Sequence, residues 1–131
     1  MRPRVLIVED ELIVADDLEW KLTNLGCDVT GIAASGEEAL AMVDREQPDI
    51  VLMDIQLRGG MNGLEAAKRI HRGKGARIIF VTAFPAVFLK ASDKERLPGL
   101  CVSKPFSTLQ LKSAIGSLAS AVDGTEEAPG P

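Results

Sequence analysis

Residues that commonly build metal or redox centres are scarce in this sequence. It contains no tyrosine, one tryptophan, one histidine and two cysteines among 131 residues. Cys27 and Cys101 lie far apart and form no Cys-x-x-Cys pair, so neither a zinc site nor a redox dithiol is indicated. We predict that both cysteines are ordinary buried or half-buried packing residues. His71 is expected to lie exposed on a helix.

Long apolar runs and clustered basic residues are also missing. Apolar runs such as residues 78–81 are far shorter than the roughly 20 residues that a membrane-spanning helix needs. The apolar run after the basic N-terminus covers only residues 5–8, so no secretory signal is predicted and we expect a cytoplasmic protein with no membrane association. The formal net charge of -4 and the isoelectric point near 5.0 argue against direct nucleic-acid binding.

The composition, 46% hydrophobic and 26% charged, is typical of one globular domain. Short runs of Val, Ile and Leu alternate with longer segments of helical periodicity, which is the pattern of βαβ units around a parallel sheet. Because the first, third and fourth runs are almost continuously apolar, we expect α/β architecture with helices on both faces of the sheet. The predicted strands cover residues 4–8, 29–33, 50–53, 78–81 and 100–102.

Capping residues mark several helix boundaries. Ser35 with Glu38, and Asn62 with Glu65, have the spacing of helix N-caps. Gly26 follows the first helix in the position of a C-cap. The predicted helices cover residues 12–25, 36–47, 63–72, 85–96 and 105–119.

The last predicted helix ends the folded domain. Beyond about residue 121 the sequence has no periodicity and is rich in acids, Gly and Pro. We therefore predict a domain over residues 1–120 and a disordered acidic tail over residues 121–131. The candidate core positions of this helix are Phe106, Leu109, Leu111, Ile115 and Leu118.

Polar side chains follow four of the predicted strands, and ligands of open parallel sheets bind outside these carboxyl ends. Glu9 and Asp10 follow the first strand and Asp54 the third. Crowded carboxylates repel one another unless a cation lies among them, and oxygen ligands suit Mg²⁺. Thr82 and Lys104 end the fourth and fifth strands. A carboxylate in such a pocket can attack phosphorus while an ammonium and a hydroxyl hold the phosphoryl oxygens.

Each of these residues taken alone has a simpler interpretation. Residues 9–11 could be acids placed near a helix N-terminus, Asp54 a turn former, and Lys104 the exit of a strand before Pro105. Thr82 alone indicates nothing. The supply of a suitable group at four separate strand ends favours phosphoryl chemistry, and we predict that Asp54 accepts the phosphoryl group.

The sequence resembles the receiver domain of two-component response regulators over about residues 3–120. This resemblance implies a flavodoxin-like, doubly wound sheet of five parallel strands in the order 2-1-3-4-5. It also implies a phosphohistidine donor on a sensor histidine kinase or a phosphotransfer protein. The stretches that carry the resemblance are residues 5–11, 48–55, 61–65, 81–83 and 103–106.

The resemblance implies a role for each candidate residue. Asp54 matches the phosphoacceptor, and the backbone carbonyl of Gln56 matches a ligand of the Mg²⁺ cofactor. The other matches are Glu9 and Asp10 with the acidic metal-binding pair, Thr82 with the hydroxyl, and Lys104 with the lysine of the family.

The sequence departs from the family at the usual aromatic switch. Cys101 stands on the fifth strand where receivers usually carry Tyr or Phe. Phe84, two residues after Thr82, is an alternative switch residue, as in single-domain receivers with a Phe-Ala-Thr-Gly-Tyr-like motif. The simpler interpretation of Phe84 is a packed loop aromatic.

Three functions follow from these patterns. The first is a receiver that is phosphorylated at Asp54 and acts on a downstream protein partner or in a phosphorelay, catalysing only its own phosphorylation and dephosphorylation. The second is a receiver-like interaction module that works without phosphorylation. The third is a receiver excised from a larger hybrid kinase or transcription factor. The intact set of candidate residues favours the first, and a homodimer through helix 4, strand 5 and helix 5 stays open.

Overall fold

The five predicted strands form a single parallel sheet in the order 2-1-3-4-5, as predicted. The structure is a computed structural model that describes residues 2–95 and 97–122. The strands are β1 (Arg4–Val8), β2 (Asp28–Ala33), β3 (Ile50–Asp54), β4 (Arg77–Thr82) and β5 (Leu100–Ser103). The helices are α1 (Leu12–Asn24), α2 (Gly36–Glu46), α3 (Gly63–Lys74), α4 (Pro85–Lys94) and α5 (Thr108–Val122).

The continuous apolar strands are buried because helices cover both faces of the sheet. On one face, α1 and α5 pack with Leu18, Leu22 and Leu111 against the sheet. On the other face, α2 and α3 contribute Val43 and Ile70 to a second core cluster. Every residue of β3 is buried, whereas β5, at the edge of the sheet, is not buried at any position. None of the described helices is long and apolar enough to cross a membrane.

The predicted N-caps are confirmed. The Ser35 hydroxyl accepts a hydrogen bond from the Glu38 N–H at 3.1 Å, and the Asn62 side chain accepts one from the Glu65 N–H at 2.9 Å. The cysteine predictions are also confirmed, because Cys27 is buried and Cys101 half-buried without a disulfide.

The last helix differs from its prediction in where it begins and ends and in which of its residues face the core. It begins at Thr108 rather than residue 105, after a reciprocal cap between Ser107 and Gln110. The prediction of Leu109 as a core residue is wrong, since this side chain is 73% exposed. Its core-facing positions are Leu111, Ala114 and Ile115, and a residue two positions before Leu111 lies on the opposite side of a helix. The helix extends to Val122, and residues 123–131 of the predicted tail lie outside the described residues.

Helix α4 is loosely attached to the domain. None of its ten residues, all of which the structure describes, is buried. Its main inward contact is Phe88, whose ring centroid lies 5.3 Å from that of Phe80 in β4. A helix with so little buried apolar surface is expected to move at low energetic cost.

Gly63 holds the start of α3 against the end of β3, which yields a stability prediction. A Cβ at this position would meet the Asp54 carbonyl and lie 2.8 Å from the Ile55 Cα, so Gly63→Ala should lower the free energy of unfolding by about 1–3 kcal/mol. Gly73→Ala in the same helix is the matched control, because its Cβ would meet no atom within 4 Å. Urea denaturation of both variants checks this, and equal stabilities would contradict it.

Candidate functional site

The ends of β1 and β3 bring three carboxylates together. Glu9 and Asp10 follow β1, and Asp54 is the last residue of the neighbouring β3. Ligand oxygens of the three side chains lie within 4.8 Å of one another. The carboxyl ends of parallel strands lie at the same end of the sheet, so the adjacency of β1 and β3 brings Glu9 and Asp10 close to Asp54 despite their distance in sequence.

Asp54 is nearly enclosed, with only 5% of its surface exposed. Its Oδ1 accepts a hydrogen bond from the Gln56 N–H at 3.0 Å, and its Oδ2 lies 3.7 Å from the Lys104 Nζ. Lys104 approaches from the loop after β5. The predicted convergence of the carboxylate and the ammonium is therefore present, although these two groups are beyond hydrogen-bonding distance of each other.

Lys104 has its shorter contact with Glu9. The Nζ lies 3.1 Å from the Glu9 Oε1, while the Glu11 N–H donates to the Glu9 Oε2 at 3.2 Å. Burial, followed by the negative charge of Asp54, raises the pKa of the Glu9 carboxyl above 4.5, although the contacts with Lys104 act in the opposite direction. Glu9 is therefore a buried acid whose negative charge is only partly compensated.

The three carboxylates have the donor chemistry of a magnesium site. All of their ligand atoms are oxygens, and they are close enough to share one small cation. Such a cation would offset the repulsion that the burial of like charges creates. Gln56 lies in the loop after β3, and the role of its backbone carbonyl as a further metal ligand stays a prediction.

Thr82 and Phe84 are linked through the backbone. The buried Thr82 hydroxyl accepts a hydrogen bond from the Phe84 N–H at 2.9 Å, and the Thr82 carbonyl accepts one from the Lys104 N–H at 2.7 Å. The Phe84 side chain is 58% exposed just before α4. It is therefore not a packed loop aromatic in this structure.

Cys101 is half-buried on β5 and packs, with Phe88 of α4, against the core cluster on that face of the sheet. It pairs with Phe80 across β4 and β5. Burial raises the pKa of its thiol above 9.0. This side chain has the environment of a packing residue, and its switch role stays a prediction.

Arg58 is not among the residues that the sequence pattern predicts for the site. Its backbone N–H donates to the Asp10 Oδ2 at 3.0 Å, and its Nε lies 3.5 Å from the same oxygen. Gly59, the next residue of this loop, has a φ of 104°, which is readily adopted only by glycine. A basic residue four positions after the acceptor, followed by two glycines, is the signal that could have revealed it.

The sheet order and the cluster of acids and lysine at the strand ends are those of a response-regulator receiver. The sequence matches the family model of the response regulator receiver domain over residues 5–116. The chain belongs to this family.

Several relatives are regulators named PhyR. The sequence is 34% identical over 116 residues to the phyllosphere-induced regulator PhyR of Methylorubrum extorquens, which covers 88% of this chain and 43% of that protein. The fold matches the anti-anti-sigma factor PhyR from Bartonella quintana with a TM-score of 0.84 at 32% identity, over 95% of this chain and 50% of that one. The match to the isolated receiver domain of PhyR from Erythrobacter litoralis has a TM-score of 0.82 at 32% identity and covers 99% and 96%. The chain thus spans about half the length of the first two regulators.

The raised pKa of Glu9 yields a pH-dependent prediction. The folded protein binds the Glu9 proton more tightly than the unfolded chain, so the wild type loses stability as the pH rises through the folded-state pKa. Glu9→Gln keeps an oxygen acceptor for Lys104 but carries no charge. Without Mg²⁺ it should have a higher free energy of unfolding than the wild type at pH 7.5, and the difference should shrink towards pH 4.5. Urea denaturation across this range measures it.

The matched control, Glu65→Gln, is expected to change the free energy of unfolding in the opposite direction. A hydrogen bond from Arg69 lowers the pKa of the exposed Glu65, so Glu65→Gln should slightly reduce stability at pH 7.5. A Glu9→Gln protein less stable than wild type at pH 7.5 would mean that the Lys104 contact outweighs the cost of burial.

Proposed function

We propose that this receiver is a phosphorylation-dependent signalling switch that accepts a phosphoryl group on Asp54. The observation that supports this most is the convergence of Glu9, Asp10 and Lys104 on the buried Asp54. A receiver-like module that works without phosphorylation would have no need for this cluster of buried charges. The donor would be a phosphohistidine on a sensor histidine kinase or a phosphotransfer protein.

The chemistry follows from the positions of the side chains. An Asp54 oxygen attacks phosphorus, the new O–P bond forms as the P–N bond of phosphohistidine breaks, and the imidazole retains the electron pair. Glu9, Asp10 and Asp54 would hold Mg²⁺, which neutralises charge on the phosphoryl oxygens when bound. The Lys104 ammonium, 3.7 Å from the Asp54 Oδ2, would pair with one of these oxygens. The protein would catalyse only its own phosphorylation and dephosphorylation.

The Thr82 hydroxyl would complete the phosphoryl site. Because its oxygen accepts the Phe84 N–H, its own proton is available to a phosphoryl oxygen. Movement of the hydroxyl towards that oxygen would alter its bond to Phe84 at the start of α4. Phosphorylation of Asp54 would in this way change the start of α4. We therefore assign the switch role to Phe84 rather than to Cys101.

A groove beside the site is suited to the donor protein. It has a volume of about 300 Å³ and extends from Lys104 to α1, with Phe106 and Lys21 in its wall. The Lys21 Nζ lies 5.5 Å from the centre of the Phe106 ring. A phosphohistidine carried by a helical partner could reach Asp54 from this side.

The output is proposed to be a protein interaction in the cytoplasm. One relative is described as an anti-anti-sigma factor, which makes a downstream protein partner a reasonable expectation for this chain. The face formed by α4, β5 and α5 exposes apolar side chains that suit such a partner or a second copy of the chain. These side chains are Phe84, Val87, Leu89, Leu100 and Leu109.

Phosphoryl acceptance can be tested by intact mass. With Mg²⁺ and acetyl phosphate, the wild type should gain the mass of one phosphoryl group, and Asp54→Asn should gain none because it lacks the nucleophilic carboxylate. Asp16→Asn, which changes an exposed acid on α1, should label like the wild type. An unlabelled wild type would refute the proposal, and equal labelling of Asp54→Asn would place the site elsewhere.

The readout can be tested with beryllofluoride, a phosphoryl mimic, and hydrogen exchange of α4. Activation should change exchange in residues 85–94 of the wild type. Phe84→Ala should reduce that change while leaving Asp54 labelling intact, because burial of a half-exposed Phe ring contributes about 1 kcal/mol to the activated state. A larger loss of the response in Cys101→Ala would assign the switch to Cys101.

A further inference from the structure

Arg58 is a second cation at the acidic pocket, and it contacts different acids from those that Lys104 contacts. Lys104 contacts Glu9 and Asp54, whereas Arg58 contacts Asp10 and Glu11. The Arg58 side chain is 78% exposed, while the Asp10 side chain is only 11% exposed. Arg58 therefore covers the most accessible of the three acids in the cluster from the solvent side.

The two contacts of Arg58 with Asp10 have different origins. The backbone N–H donates at 3.0 Å and shapes the loop, whereas the side-chain Nε lies 3.5 Å from the same oxygen. A substitution of the side chain therefore removes the positive charge and leaves the backbone hydrogen bond in place. The charge of Arg58 can be tested separately from the conformation of the loop.

The charge balance indicates what this guanidinium does. The carboxylates of four residues, Glu9, Asp54, Asp10 and Glu11, contact the two cations Lys104 and Arg58, which leaves a net charge of -2. A divalent ion bound by Asp10 would place like charge beside the Arg58 guanidinium, so Arg58 and the ion oppose each other at Asp10. Glu11, whose carboxylate is 3.9 Å from the Arg58 Nη2 and 58% exposed, offers the guanidinium a second partner when it leaves Asp10.

We propose that Arg58 is a built-in competitor of Mg²⁺: its guanidinium neutralises Asp10 in the metal-free protein and lowers the affinity of the pocket for the ion. The residue thereby sets how much Mg²⁺ the receiver needs before it can accept a phosphoryl group. This inference rests on the proposed function of the site. It concerns metal affinity and can be measured without phosphorylation.

Isothermal titration calorimetry with MgCl₂ tests the proposal. Arg58→Gln should bind Mg²⁺ about two- to fivefold more tightly than the wild type at low ionic strength, the range expected for an exposed charge pair. Arg58→Lys, which keeps the charge, should stay close to the wild type. High salt should reduce the difference, because the guanidinium is exposed and easily screened. Arg69→Gln is the control, since Arg69 pairs with Glu65 away from the site.

Several outcomes would overturn the proposal. Competition by charge would be excluded if Arg58→Gln bound Mg²⁺ no more tightly than Arg69→Gln, or if Arg58→Lys bound it as tightly as Arg58→Gln. A wild type that binds no Mg²⁺ would remove both this inference and the metal from the proposed function. A tighter Arg58→Gln protein with an unlabelled Asp54 would support the inference while the proposed phosphoacceptor fails.

Discussion

Electrostatic repulsion among Glu9, Asp10 and Asp54 is the constraint on which the rest of the site depends. Two of these acids are almost fully buried, with 2% of Glu9 and 5% of Asp54 exposed. A protein selected for stability alone would not bury like charges so close together. Burial first, and then the charge of Asp54, raises the pKa of Glu9 despite the contacts with Lys104, so the negative charge of the pocket is only partly compensated. The pocket is thus prepared to gain from the arrival of positive charge.

The two cations that reduce this repulsion lie on different loops. The charge of the pocket therefore affects the positions of both loops. Lys104 belongs to the loop after β5, and Arg58 to the loop after β3. Because the backbone N–H of Lys104 donates to the Thr82 carbonyl and the Thr82 hydroxyl accepts from Phe84, the ends of β4 and β5 form one connected unit. A change in the charge of the pocket acts on this whole unit rather than on one side chain.

The sequence predicted the parts of this structure that depend on strong local patterns or on topology. The apolar strands and the helix caps at Ser35 and Asn62 were predicted from local patterns. The convergence of the acids was predicted because parallel strands bring their carboxyl ends together. Leu109 was misjudged, since the core face of a helix depends on where the helix begins. Arg58 was missed because the direction of a loop side chain depends on backbone curvature that no periodicity records.

The domain combines a rigid half that holds the acids with a softer half that can respond. β1 and β3 are central strands whose apolar residues are buried from both faces, so Asp54 is held precisely. β5 is an edge strand without a buried residue, and α4 is likewise unburied. A phosphoryl group on Asp54 would act on both halves, but the cost of movement is lower in α4 and β5. Phosphorylation of Asp54 at the centre of the sheet is therefore expected to move its edge, where the exposed apolar side chains of α4, β5 and α5 lie.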